Sequence, residues 1–92
     1  MSKTIEEITI NYEEDGELLV KELEKEVLTK GAWTTIMFLY QDLDRKTKEY
    51  GARQISIRRY RKMNGEYRQQ SKFNISSEKQ AKQIVDIINK WC

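Results

Sequence analysis

Arg58, Tyr60 and Lys62 alternate along one stretch of chain, and Arg68 and Lys72 return beside them after an Asn64-Gly65 turn. Alternate residues of a strand share a face, so this spacing gathers cations around an aromatic ring. Cations neutralise phosphates and a flat ring stacks an unpaired base, the chemistry of single-stranded nucleic-acid binding. The stretch RQISIRRYRKMNGEYRQQSKFNI, residues 53–75, carries seven Arg or Lys against one acid, Glu66. The plainer alternative is a solvated sheet face, where charge needs no ligand.

Other chemistries find little material. Histidine is absent and the single cysteine, Cys92, is the last residue. A Cys-His nucleophile pair, a histidine base and a thiolate zinc site are therefore excluded, and no carboxylate spacing suggests acid–base catalysis. The chain is expected not to be an enzyme, with no catalytic residue, metal or cofactor. One cysteine also rules out an internal disulfide and points to an intracellular, cytoplasmic setting, nucleoid-associated in a bacterium. The apolar run 36–40 is far too short to cross a membrane, and no membrane partner is expected.

Charge is distributed unevenly along the 92 residues. Residues 1–31 hold four Lys and nine acids, a net of −5, whereas 45–72 hold ten Lys or Arg and two acids, a net of +8. A basic block of this density is an electrostatic footprint for phosphate. With 38% hydrophobic and 35% charged residues, one small domain with a modest core is expected, of the kind that gains stability by pairing.

The elements that must position these residues follow from periodicity. Ile8, Ile10 and Tyr12 alternate like a short strand before the turn Glu13–Gly16. In ELLVKELEKEVLTKG, Leu19, Leu23 and Val27 have helical spacing among strong helix formers, although Leu23 and Val27 also fit a strand. The stretch from Trp33 to Leu43 reads as a strand with Trp33, Thr35, Met37 and Leu39 on one face and Ile36, Phe38 and Tyr40 on the other. Both faces are apolar, so each needs a cover. Asn-Gly is a strong hairpin turn. A two-residue turn pairs Met63 with Glu66 but sets Ile57 against Lys72. A shift of one at a bulged loop pairs Ile57 with Phe73 and Ile55 with Ile75, giving a core side. The opposite face then carries Arg58, Tyr60, Lys62, Arg68, Gln70 and Lys72, while Arg59 and Arg61 fall on the core side and must emerge beyond its edge or meet acids. Ser77 with Gln80 fits a helix cap, and Ala81, Ile84, Val85, Ile88 and Trp91 form an apolar stripe along about 22 Å of helix. The expected layout is an acidic extension over 1–16, a sheet over 17–75 and a helix over 76–91.

Three of these stretches resemble the single-stranded DNA-binding domain of the transcriptional coactivator positive cofactor 4 and its small bacterial relatives. SIRRY, residues 56–60, is similar to that family's Asp-Ile-Arg-x-aromatic strand. KFNISSEKQAKQI, residues 72–84, is similar to its Lys-Gly-Ile-Ser/Thr-Leu followed by a polar cap and a helix with an acidic start. Gly31-Ala32-Trp33, opening a strand that ends in Tyr40, is similar to the bacterial members. The resemblance is best over 55–88 and fair back to 31. It implies an α+β fold, a four-stranded or five-stranded antiparallel twisted sheet followed by one helix, assembled as a homodimer. It also implies that residues 19–29 form the first strand. Arg58 matches the family's DNA-contacting arginine, and Tyr60 and Tyr40 match its strand aromatics. Ser71-Lys72-Phe73 stands where Lys-Gly-Ile is usual, which leaves the family lysine's role to Lys72 or Arg68.

The expected function is therefore low-specificity binding of single-stranded DNA, with RNA open to the same physics, in a transcription- or replication-related role. Tyr40 and Tyr60 are the first choices as stacking rings, with Phe38 and Trp33 second and Trp33 alternatively a core residue. Arg58, Lys62, Arg68 and Lys72 would meet phosphates, and Arg45, Lys46 and Lys48 could extend the track. The acidic turn at 13–17 is expected to shield part of the basic groove. Ile84, Ile87, Ile88 and Trp91 are expected at the dimer interface. The alternative function is a protein-interaction module whose basic hairpin docks an acidic partner.

Overall fold

Left-handed residues at the chain reversals set out the sheet in the computed structural model, which describes residues 3–92. Asp15 and Gly16 (φ 52° and 79°) join β1 (Tyr12–Glu14) to β2 (Glu17–Thr29), and Gly31 (φ 128°) lies between β2 and β3 (Trp33–Asp44). Lys48 (φ 63°) precedes the two-residue β4 (Glu49–Tyr50). Asn64 and Gly65 (φ 52° and 77°) join β5 (Gln54–Met63) to β6 (Glu66–Ile75), the double positive φ of a two-residue hairpin turn. The antiparallel strands run in the order β1-β2-β3-β5-β6, with β4 paired to the end of β3. Helix α1 (Glu78–Trp91) follows. The fold is thus α+β, with six strands among the described residues rather than four or five.

Residues 17–29 are strand despite their helical propensity. β3 offers apolar side chains on both faces and a full ladder to pair with, and that tertiary gain outweighs propensities of a few tenths of a kcal/mol per residue. Register skips near Leu23 and Leu28 accommodate the pairing. The expected strand at 8–12 is not formed over 8–11; β1 instead begins at Tyr12 and runs into the expected turn, and the loop after β3 folds back as β4.

The closed core lies on the face of β3 formed by Thr34, Ile36, Phe38 and Tyr40, together with Tyr60 of β5. Residues 3–11 lie over it as a strap, with Ile8 and Ile10 buried and Ile5 half-buried. Polar residues on this face of β2 hold the strap in place. Lys25 Nζ donates to the carbonyls of Ile5 (2.6 Å) and Ile8 (2.7 Å). Glu22 Oε1 accepts from the Thr9 hydroxyl (2.8 Å) and the Ile10 N–H (3.2 Å), and the Glu22 N–H donates to Asn11 Oδ1 (2.7 Å). Within the expected acidic extension over 1–16, residues 3–16 supply a strand and the core's lid.

The expected core side of the hairpin is closed only in part: Ile75 is 3% exposed and Ile55 and Ile57 are half-buried, while the larger core lies on the other face. The Ile55, Ile57 and Phe73 face was expected to be closed by the helix, yet Phe73 is 55% exposed and α1 packs against the sheet mainly at the end of β6. The reason is the helix cap. Ser77 Oγ accepts from the Gln80 N–H (3.1 Å) and Gln80 Oε1 accepts from the Ser76 N–H (3.3 Å), which starts α1 directly after β6. Arg53 holds Glu78 at 2.9 Å from the start of β5. No residue of α1 is buried, and Val85, Ile87, Ile88 and Trp91 are exposed.

The hairpin register holds both sequence alternatives. Met63↔Glu66, Lys62↔Tyr67, Arg61↔Arg68 and Tyr60↔Gln69 follow the two-residue turn. After a bulge at Gln70, Arg59↔Ser71, Arg58↔Lys72, Ile57↔Phe73 and Ile55↔Ile75 follow the shifted register. The shift comes in mid-strand rather than at the turn, because Asn64-Gly65 satisfies the tight turn locally while burial sets the far end.

Candidate nucleic-acid interface

β5 and β6 place Arg58, Lys72 and Asn74 on the core side of the sheet, on the flank toward the β6 edge, with Ser56 buried beside them. Ser56 Oγ donates to Asn74 Oδ1 (2.6 Å) and accepts from Arg58 Nε (3.0 Å), and Arg58 Nη1 donates to Gln69 Oε1 (3.1 Å). The guanidinium is thereby fixed by two neutral partners, with donors left over. Lys72 is exposed directly across from it. Two rows nearer the turn on the same face, beyond Tyr60 and Gln69, the Lys62 ammonium lies 5.6 Å from the ring centre of half-buried Tyr67. Arg58, Lys62 and Lys72 make no ion pair among the described residues.

The rings expected to stack bases are placed differently. Phe38, Tyr40 and Tyr60 are 1%, 6% and 6% exposed. They pack in the core under the strap and offer no free ring face. Burial pushes the Tyr60 phenol above its ordinary value, opposed by the adjacent Arg58 cation and its hydrogen bond. Burial, with Asp42 nearby, also raises Tyr40. The Tyr40 hydroxyl donates to Gln54 Oε1 (3.3 Å), and Gln54 Nε2 donates to Asp42 Oδ2 (2.9 Å).

Trp33, 41% exposed, is on the opposite face and is not a core residue. Arg68 joins it there rather than Arg58, because the Gln70 bulge reverses the expected alternation. Arg59 and Arg61 emerge on this face beside the indole instead of meeting acids.

The acidic turn has other partners than the hairpin. Glu14 pairs with Arg45 (3.4 Å) and Glu17 with Lys48 (2.8 Å), so two of the three expected track-extending cations are engaged across the β1–β2 end of the sheet. Among the expected dimer residues, Ile84 is half-buried while Ile87, Ile88 and Trp91 are exposed along α1.

Sequence reasoning missed Tyr67, Gln69 and Asn74. Tyr67 had a usable signal: the tight Asn-Gly turn sets it opposite Lys62, where a cation and a ring meet across the strand pair. Asn74 and Gln69 became visible only once the register was known. Among the described residues, no cluster of His, Cys, Asp or Glu could hold a metal ion, and no helix is long and apolar enough to cross a membrane. No protein-family model, curated protein or solved structure matches the chain.

Proposed function

We propose that the chain binds single-stranded nucleic acid, DNA foremost, with little sequence preference, along the β5–β6 hairpin, and that it does so as a homodimer. The observation that carries this is Arg58 directly opposite Lys72. Like charges facing across a strand pair destabilise it by about 0.2–1 kcal/mol, and no acid relieves this pair among the described residues. An anionic backbone laid along the row would turn that cost into binding energy. Arg58, Lys62 and Lys72 would take phosphates, and Tyr67 would offer a ring edge or face to a base. The similarity of residues 55–88 to the positive cofactor 4 family supports the same ligand and a transcription- or replication-related role. It matches Arg58, while the burial of Tyr40 and Tyr60 favours Tyr67 as the ring in use.

The dimer rests on the uncovered face. Met37, Leu39, Ile55 and Ile57 are half-buried and Phe73 is exposed, continuous with the apolar side of α1. A groove of ≈ 390 Å³ separates sheet from helix, lined by Leu39, Ile55 and Ala81 together with Arg53, Ser77, Glu78 and Lys82. The Cα radius of gyration is 14.8 Å, against about 12 Å for a compact chain of this length. A second copy docking helix to helix would bury this surface and make the interface self-complementary. Anisotropy titration of oligothymidine, oligouridine and duplex at moderate salt tests the function. Preference for the single strands over duplex is expected. Indifference to all three would leave the hairpin to an acidic protein partner.

A further inference from the structure

On the face opposite Arg58 and Lys72, Trp33, Arg61 and Arg68 occupy one cross-strand row, and Arg59 lies in the next row beside Thr35 and Ser71. The Arg59 guanidinium stands 4.5 Å from the indole centre and that of Arg61 5.4 Å. Neither makes an ion pair or side-chain hydrogen bond among the described residues, and Arg68 has only Glu66 at 3.8 Å. Arg61 directly opposite Arg68 is a second like-charge pair that the fold sustains. The position is rigid as well as exposed: the Lys62 N–H donates to the Ala32 carbonyl at 2.8 Å, pinning the start of β3 to the end of β5.

A guanidinium stacked on an indole keeps its N–H groups directed outward at its edge, already oriented for the oxygens of a phosphate. The exposed part of the indole suits an unpaired base. β6 is the edge strand of the sheet and carries Lys72 on one face and Arg68 on the other; Arg59 and Arg61 lie one strand in from that edge and Trp33 two. Arg61 lies three positions along β5 from Arg58, about 10 Å along the strand.

We propose that a bound single strand crosses the β6 edge and that Trp33, Arg59, Arg61 and Arg68 form its second contact site. The guanidinia hold phosphates and the indole stacks one base. The site rests on the proposed function, but it can fail alone. Phosphodiester is favoured over an acidic peptide because a large part of the indole is open, and carboxylates alone would leave it unused.

The test uses Trp91→Phe, which leaves Trp33 as the sole tryptophan, titrated with oligothymidines of about six and about twenty residues. The longer strand is expected to quench Trp33 emission. In the parent chain, Trp33→Ala is expected to weaken the longer strand about five- to 150-fold, the loss of one stacked base, and the pair Arg59→Gln with Arg61→Gln to weaken it and flatten its slope of log K against log[salt] by about 1.4, the loss of two phosphate contacts. The shorter strand, held on the Arg58 face, should change little. Binding that depends on Arg58 while Trp33 emission and the Trp33→Ala affinity stay unchanged overturns the second site and leaves the function standing. Equal losses for short and long strands make Trp33 part of one site and overturn the crossing. Emission that responds to protein concentration and not to oligonucleotide assigns the indole to the interface between copies, which also overturns it. A wild-type chain that binds neither strand overturns both proposals.

Discussion

Replacing Ile8 by alanine asks whether the strap is permanent core or a lid that nucleic acid displaces. Ile8 is 3% exposed against Ile36, Phe38, Tyr40 and Tyr60, so the truncation should cost about 2–5 kcal/mol. For a domain of this size that lowers Tm by very roughly 10–30 °C. Lifting the whole strap would re-expose Ile8 and Ile10 at about 1.5–3 kcal/mol each. Stacking bases on Tyr40 and Tyr60 would return about 1–3 kcal/mol each. These nearly cancel, and the exposure of Ile36 and Phe38 then tips the balance toward a strap that stays shut. Binding is therefore expected to leave the strap in place, with oligothymidine affinity of Ile8→Ala within about twofold of the parent. The comparison is made by anisotropy at a temperature where circular dichroism shows the variant folded. If bases do take the strap's place, the variant has already lost part of the closing energy. Affinity would then rise at least tenfold, each 1.4 kcal/mol being one factor of ten. That result would refute the assignment of Tyr40 and Tyr60 to the core.

On the open strip, Tyr67→Ala should weaken single-strand binding by about 1–3 kcal/mol. Arg58→Ala should weaken it and flatten the slope of log K against log[salt] by about 0.7, from near −3.5 if about five phosphates are neutralised; an unchanged slope counts against a phosphate at Arg58. The raised phenols of Tyr40 and Tyr60 predict alkaline sensitivity. Their stabilising contribution is fully present below the unfolded value near 10 and is lost as pH rises past it, because unfolded phenols ionise while the buried ones resist. Tyr60→Phe should blunt the fall in urea midpoint between about pH 9 and pH 11, and an equal fall in both proteins would contradict the burial argument. Ile88→Lys places a charge on the uncovered face of α1 and should split the dimer. Sedimentation should then give a folded species near 11.0 kDa, and a wild-type monomer at micromolar concentration would remove the dimer.

What was legible in the sequence was what short-range physics decides. β3 alternates apolar residues on both faces, Ser77 and Gln80 cap α1, and Asn64-Gly65 turns the hairpin, each within a few residues of the signal. β2 was not legible in this way. Glu22 and Lys25 look like surface charges of a helix, and they make sense on a core face only when the strap's carbonyls and N–H groups arrive as their partners. The choice of which face of β3 is closed depends on the same distant segment: Ile8 and Ile10 declare that they need burial, but nothing near them says where.

The placement of the cations turns on one residue that no local pattern marks. Two constraints bear on the hairpin: a tight turn at Asn64-Gly65 and a register that sets Ile57 against Phe73. No continuous ladder satisfies both, so one residue must drop out between them, and that residue is Gln70. Without the bulge, Arg58 would lie in one row with Ser71 and the whole alternation of β6 would be reversed on the helix side. With it, Arg58 meets Lys72 on one face and Arg61 meets Arg68 on the other, three residues further toward the turn. The bulge thus divides a single run of basic residues between two sides of an edge strand. Deleting Gln70 should therefore close the hairpin into one continuous register that keeps the Asn64-Gly65 turn and still sets Phe73 against Ile57 and Ile75 against Ile55; the variant should fold with a urea midpoint no lower than the parent's, and an unfolded β6 end would refute this account of the bulge.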